Sequence, residues 1–151
     1  MSKKLILDFE EEQQYSMIGI SSGLKDYRLM FYLNKLAGFN FSRAMPFVFT
    51  VKETVLQFSL YVYIDIQNMR NYYLISNKAN AVKLIKEFKH FDYLLVMDGE
   101  MEDDFTANLA KQIKTVNGVM LASVADDIYL DKIPNLRMSF DMHIDKVLKE
   151  F

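Results

Sequence analysis

The chain has no cysteine and no tryptophan, and only two prolines, five glycines and two histidines among its 151 residues. Without cysteine, disulfides, thiolate metal sites and cysteine nucleophiles are all excluded. The two histidines, His90 and His143, do not show the spacing of converging zinc ligands. His90, next to Lys89, reads as a surface residue. No serine stands at a recognisable nucleophile elbow, so nucleophilic hydrolysis has no support. An excess of one charge is lacking too: 18 basic residues face 20 acidic ones, a net charge of −2. Dedicated nucleic-acid binders normally carry a basic excess, so nucleic acid is disfavoured as a partner. No apolar run approaches about 18 residues, so no membrane span is expected. Met1-Ser2-Lys3-Lys4 leads into a strand-like segment with Asp8 and Glu10, not into the apolar region of a secretory signal. These absences together predict a soluble, cytoplasmic protein.

What is abundant is large apolar side chains: 51% hydrophobic residues, with 12 Phe, 10 Met and 9 Tyr. A single domain of this length buries roughly 70% of its extended surface, so one core over residues 1–151 is expected without staples. The clearest unit runs from Tyr93 to Ala125. Tyr93 to Met97 is a short apolar run of the kind covered on both faces. Acidic residues from Glu100 to Asp104 then sit at a helix start, where carboxylates meet the positive end of the dipole. Phe105, Leu109 and Ile113 share one helix face, Asn117-Gly118 stops the helix, and Val119 to Ala125 is a second apolar strand. If both strands lie in one sheet, the crossover is right-handed.

Elsewhere the patterns are simpler. Lys4–Phe9 alternates as a strand, Glu10 to Gln14 reads as a solvated turn, and Tyr15–Ile20 is a second strand able to pair with the first. Serines at 21 and 22 lead into a helix over Leu24–Ala37, stopped at Gly38. This helix carries two apolar stripes, Leu29/Leu33/Leu36 and Leu24/Tyr27/Phe31. It is therefore either buried on two sides or placed at an interface. Residues 39–46 read as a loop, and Phe47–Val51 as a strand after Pro46. Gln57–Ile66 alternates cleanly and forms a hairpin with Asn71–Ser76. Asn80 is positioned to cap a short helix over Ala81–Lys89, Asp126–Pro134 is a loop, Leu136–Met142 alternates like a strand, and Ile144–Phe151 ends in a helical turn or two. The fold class is α/β (α+β): a single domain with a mixed, mostly antiparallel sheet, a C-terminal βαβ unit and two main helices.

Ile85-Lys86-Glu87-Phe88-Lys89-His90-Phe91-Asp92-Tyr93 resembles the signature of a small bacterial family, the IPExxxVDY family. Ile85, Glu87, Asp92 and Tyr93 fall at its spacing, while Lys86 replaces its Pro and Phe91 its Val. Leu5-Ile6-Leu7-Asp8, Ile18-Gly19-Ile20, Tyr27-Arg28-Leu29 and Leu33-Asn34 look family-typical too. The resemblance covers the first two thirds of the chain. It implies a soluble bacterial protein and no particular activity. Lys86 in place of Pro removes a rigid turn residue and predicts a longer helix there.

Several constellations invite chemistry. Gly19 to Lys25 lies between strand and helix but fits neither phosphate-loop spacing. Asp98, Glu100, Glu102, Asp103 and Asp104 lack EF-hand spacing and belong in a first helical turn for dipole reasons alone. Lys83, Lys86 and Lys89, with Lys78, form the polar side of the expected short helix, and either touch phosphate or an acidic protein or are simply solvated. Asp26, Tyr27, Arg28 and Asn34 form either a polar pocket or a satisfied structural network. Glu87, Asp92 and Tyr93 pose the same choice, Asp92 being placed to cap backbone N–H groups. No residue is assigned a catalytic role, no metal ligands are assigned and no cofactor is expected. The function read from the sequence is a non-catalytic cytoplasmic protein–protein interaction module. Its partner is an unknown protein or a second copy, and the tyrosine-bearing side of Gln57–Ile66 is the surface to watch. The alternative is a small-molecule-binding protein or enzyme with a pocket near Asp26, Arg28 and Asn34.

Overall fold

The computed structural model describes residues 14–36, 38–99 and 101–151. The expected strand Lys4–Phe9 and most of its turn lie outside the described residues. Strand β1, Tyr15–Ser22, is flanked on both sides. One neighbour is β9, Tyr93–Asp98, and the other is β10, Val119–Ala125; both run antiparallel to β1. They therefore point the same way, as the sequence predicts of a strand–helix–strand unit. They are not adjacent, however, because β1 lies between them. The connecting helix α2, Asp103–Lys114, has 12 residues and spans about 18 Å, so it can step over one strand. Both edges of β1 are occupied by these two strands.

The other strands of the main sheet are β2, Ser42–Arg43, β5, Leu60–Asp65, and β6, Arg70–Ser76, giving the order β10-β1-β9-β6-β5-β2. Every pairing in it is antiparallel. Because side chains alternate, each strand serves two cores. On one face Ile18, Ile20, Leu74, Leu95 and Met97 meet Leu29 and Leu33 of helix α1, Asp26–Leu36, and Leu109 and Ile113 of α2. Phe105 packs at that core's margin. On the other face Met17, Leu60, Val62, Ile75 and Val96 meet Phe140, Ile144 and Val147 of helix α3, Leu136–Leu148. The same core takes Phe47, Leu56 and Phe58 from the hairpin of β3, Phe47–Val51, and β4, Thr54–Phe58. Each such side chain contributes about 1.5–3 kcal/mol when fully buried. Gly19 is required by this packing: a Cβ there would stand 2.2 Å from the Phe91 ring.

Four expectations are corrected. Gln57–Ile66 is not one strand: it breaks at Ser59, so β4 pairs only with β3 while β5 joins the main sheet. Phe58, Leu60 and Val62 nevertheless stay on one core. Alternation records which face is buried, not which strand is the neighbour. The β5–β6 hairpin forms as expected, with Asp65 opposite Arg70. No helix spans 81–89. In its place are a small hairpin of β7, Lys78–Ala79, and β8, Val82–Lys83, and a 3₁₀ turn over Lys86–Phe88. Asn80 and Ala81 take φ of 50° and 68°, the type I′ turn that suits a two-residue hairpin, so Asn80 turns the chain instead of capping it. Leu136–Met142 is helical, the first part of α3. Phe140 is buried while Met138 and Met142 face solvent, so the apparent alternation has no structural meaning. Among the described residues there are accordingly three main helices, and the βαβ-like unit is followed by a further helix. Two smaller differences are the strand β2 inside the expected 39–46 loop and a 3₁₀ helix, Asp127–Lys132, inside the 126–134 loop.

Candidate functional site

The residues singled out from the sequence separate into three groups. Tyr27 and Arg28 on α1 and Glu87 on the 3₁₀ turn are exposed. Asn34 clasps the backbone of Phe41, its Oδ1 accepting from the N–H at 2.7 Å and its Nδ2 donating to the carbonyl at 3.2 Å. That is a satisfied pin between α1 and the approach to β2, a structural role. Asp26, Asp92 and Tyr93 do come together. Asp92 accepts from the Ser22 N–H at 2.8 Å and lies 3.6 Å from the Lys83 ammonium, while the Tyr93 hydroxyl donates to the Leu24 carbonyl at 2.6 Å. Burial pushes the Tyr93 phenol up, and the charges of Asp26 and Asp92 push it further. The Tyr61 phenol is raised by burial and by Asp26, against the Arg43 guanidinium 3.1 Å from its oxygen. These contacts fasten the β1–α1 connection to the start of β9. A phenol held neutral offers no phenolate base or nucleophile near neutral pH, and the Tyr93 proton is engaged by a backbone carbonyl.

The tyrosine-bearing side of β5 is not an open surface. Tyr61 is 2% exposed, and Tyr63 is half-buried and stacked on Tyr72 at 5.4 Å. A second polar group lies at the opposite end of the sheet. There the Asp98 carboxylate accepts from the Tyr73 hydroxyl at 2.8 Å and the Asn71 amide at 2.9 Å, and Tyr15 donates to Asp141. Burial raises the Asp98 pKa, its two hydrogen bonds oppose the rise, and Asp145 adds to it. Each phenol is matched to a carboxylate. Among the described residues no three His, Asp or Glu side chains are arranged to hold a metal ion, and no helix is long and apolar enough to cross a membrane.

The feature that sequence reasoning missed is the edge of the sheet. In the sequence Val119–Ala125 reads simply as a second apolar strand. In the structure β10 pairs only with β1 among the described residues, and Met120, Leu121 and Val124 are 71%, 39% and 56% exposed. The strand has seven residues without a charge or a proline. Its one irregularity is a register shift against Ser21/Ser22. The opposite edge, β2, is two residues long and carries Arg43. Natural sheets usually guard their edges as β2 does, with brevity and charge, and β10 has neither. The second stripe of α1 is uncovered as well: Tyr27 and Phe31 face solvent, with the Lys35 ammonium 4.6 Å from the Phe31 ring.

No family model matches the chain, and no curated protein and no solved structure matches it.

Proposed function

We propose that the chain is a non-catalytic interaction module whose docking element is β10, and that a second copy is its first partner. The observation that carries this reading is an uncharged seven-residue edge strand with three large apolar side chains in solvent. The backbone groups on that edge can add a strand from another chain, and the alternating side chains set register and specificity. Two copies of β10 running antiparallel across a two-fold axis would bring Met120, Leu121 and Val124 of one copy beside the same group of side chains on the other, a self-complementary contact. The exposed Tyr27–Phe31 stripe of α1 supports an interaction role on the same grounds.

The kinship with IPExxxVDY proteins, and with it a bacterial cytoplasmic setting, belongs to the same proposal. One feature of the backbone supports it. Ile85 is extended, at φ −116° and ψ 102°, and Lys86 opens the 3₁₀ turn. That is the conformation a proline at this position dictates for its predecessor. The replacement of Pro by Lys therefore leaves a short turn rather than a longer helix.

Light scattering across a concentration series tests the proposal. The wild-type chain is expected to form a dimer, and Val124→Lys to weaken it at least about tenfold by placing a charge in the contact. Because Val124 is exposed in the isolated chain, the folding stability of the monomer should change by no more than about 0.5 kcal/mol. A strict monomer that also captures no partner from its native cell overturns the reading.

A further inference from the structure

We propose that the groove between the β3–β4 and β7–β8 turns binds a small amphiphilic anion, an alkyl or aryl body ending in a carboxylate. The groove has a volume of about 590 Å³, within the range of small-molecule sites. Its apolar walls come from Phe49, Val51, Leu84 and Ile133, and every charged residue lining it is a lysine: Lys52, Lys83, Lys86 and Lys132. That concentration of one sign stands out in a chain of net charge −2.

The four lysines are not equivalent. The Lys83 ammonium is committed, donating to the Phe91 carbonyl at 3.0 Å and lying 3.6 Å from Asp92, so its stem serves as wall. Lys132 sits 5.5 Å from the Tyr129 ring. Lys52 and Lys86 have no carboxylate partner among the described residues. Like charges gathered at one rim repel one another, and an anion held between them removes that repulsion. An apolar floor beneath a cationic rim selects a ligand that has both parts. A bare inorganic anion would leave the floor wet, and a neutral alkane would leave the ammonium groups unmatched.

The backbone supplies an independent argument. Both turns that flank the groove are left-handed without a single glycine: Lys52 and Glu53 have φ of 50° and 69°, Asn80 and Ala81 of 50° and 68°. Such backbone is unfavourable for a residue with a Cβ, least so for Asn, and costs glycine nothing of the kind. Strain of this kind persists where the side chain it places is useful. Here two of the four strained residues, Lys52 and Ala81, line the groove, and glycine at position 52 would remove an ammonium from the rim.

A ¹H–¹⁵N NMR titration with octanoate tests the proposal, with octanol and octyltrimethylammonium as the neutral and cationic controls. Octanoate is expected to shift amides in 49–52, 81–86 and 132–134 saturably, octanol to bind about tenfold more weakly, and the cation not to shift them. The Lys52→Gln/Lys86→Gln double variant changes only solvent-facing charges. It should lose about tenfold in octanoate affinity while its octanol affinity is unchanged. Equal binding of octanoate and octanol, shifts centred elsewhere, or no saturable shift would each overturn the proposal.

Discussion

The segment from Asn77 to Asp92 and the unit from Tyr93 to Ala125 are neighbours in the chain and are held by opposite means. The second is held by spread-out apolar contact: Leu95, Met97, Leu109, Ala110, Ile113 and Val116 all enter one core, and no one of them is indispensable. The first buries Leu84, Ile85 and Phe88, but its path is set by one amide. Asn77 is fully buried; its Oδ1 accepts from the Ile85 N–H at 2.9 Å and its Nδ2 reaches the Phe88 and Phe91 carbonyls at 3.1 and 3.0 Å. Its backbone is used as well, the N–H donating to Asp92 and the carbonyl accepting from Leu84. An apolar hold fails by degrees. A polar hold concentrated in one side chain fails abruptly, because removing it breaks several buried hydrogen bonds at once.

The comparison breaks most readily at Asn77. Asn77→Ala leaves the Ile85 N–H without a partner and takes one of two donors from each of the Phe88 and Phe91 carbonyls; one stranded group at about 1–3 kcal/mol and two lost hydrogen bonds at about 1 kcal/mol each give an expected loss of about 4 kcal/mol. Hydrogen exchange should show amides 77–91 losing protection while β9 keeps its own. Ile113→Ala, in the unit held by spread-out contact, should destabilise by about 3 kcal/mol through lost burial and a cavity, and lower protection evenly across β9, α2 and β10. Denaturant titration of the two variants decides the matter. If Asn77→Ala loses under about 1 kcal/mol, then Leu84, Ile85 and Phe88 suffice to hold the segment, and the contrast between the regions disappears.

The same contrast explains what could be read in advance. The helix and strands of 93–125 were legible because run length, acidic start, apolar spacing and Asn117-Gly118 are local signals that agree. The strand inserted between β9 and β10 was not, because pairing partners are set by contacts far apart in sequence. The helix expected over 81–89 failed because Asn80 suits a cap and a left-handed turn equally well. The residue that decides the outcome, Asn77, is a buried polar group that no hydropathy pattern reveals. Leu136–Met142 satisfied both periods over seven residues. Only the continuation through Ile144 and Val147, without a proline or glycine, favours the helix. At the candidate sites, Asp92 was legible as a backbone cap and Lys83 and Lys86 as a basic pair. Their grouping with Lys52 and Lys132 depends on chain segments some 30 to 50 residues away. The exposure of β10 had no signature at all, since an uncovered apolar strand and a covered one have the same letters.

The smallest expected effect concerns the strain in the segment that Asn77 organises. Ala81 holds φ at 68° with only a methyl group to show for it, whereas Asn followed by glycine is the preferred pair for this turn. Ala81→Gly should therefore stabilise the chain: relief of about 1–2 kcal/mol of left-handed strain, less the greater chain entropy of glycine, leaves about 0.5 kcal/mol. At this chain length that raises the thermal midpoint by about 1–2 °C, with hydrogen exchange slowed at Lys78–Lys83 alone. A fall in the midpoint would mean that the methyl group's contact with the groove outweighs the strain. The turn would then be held by apolar contact like the unit that follows it, and the division between the two regions would lie nearer Asn77 than Asp92.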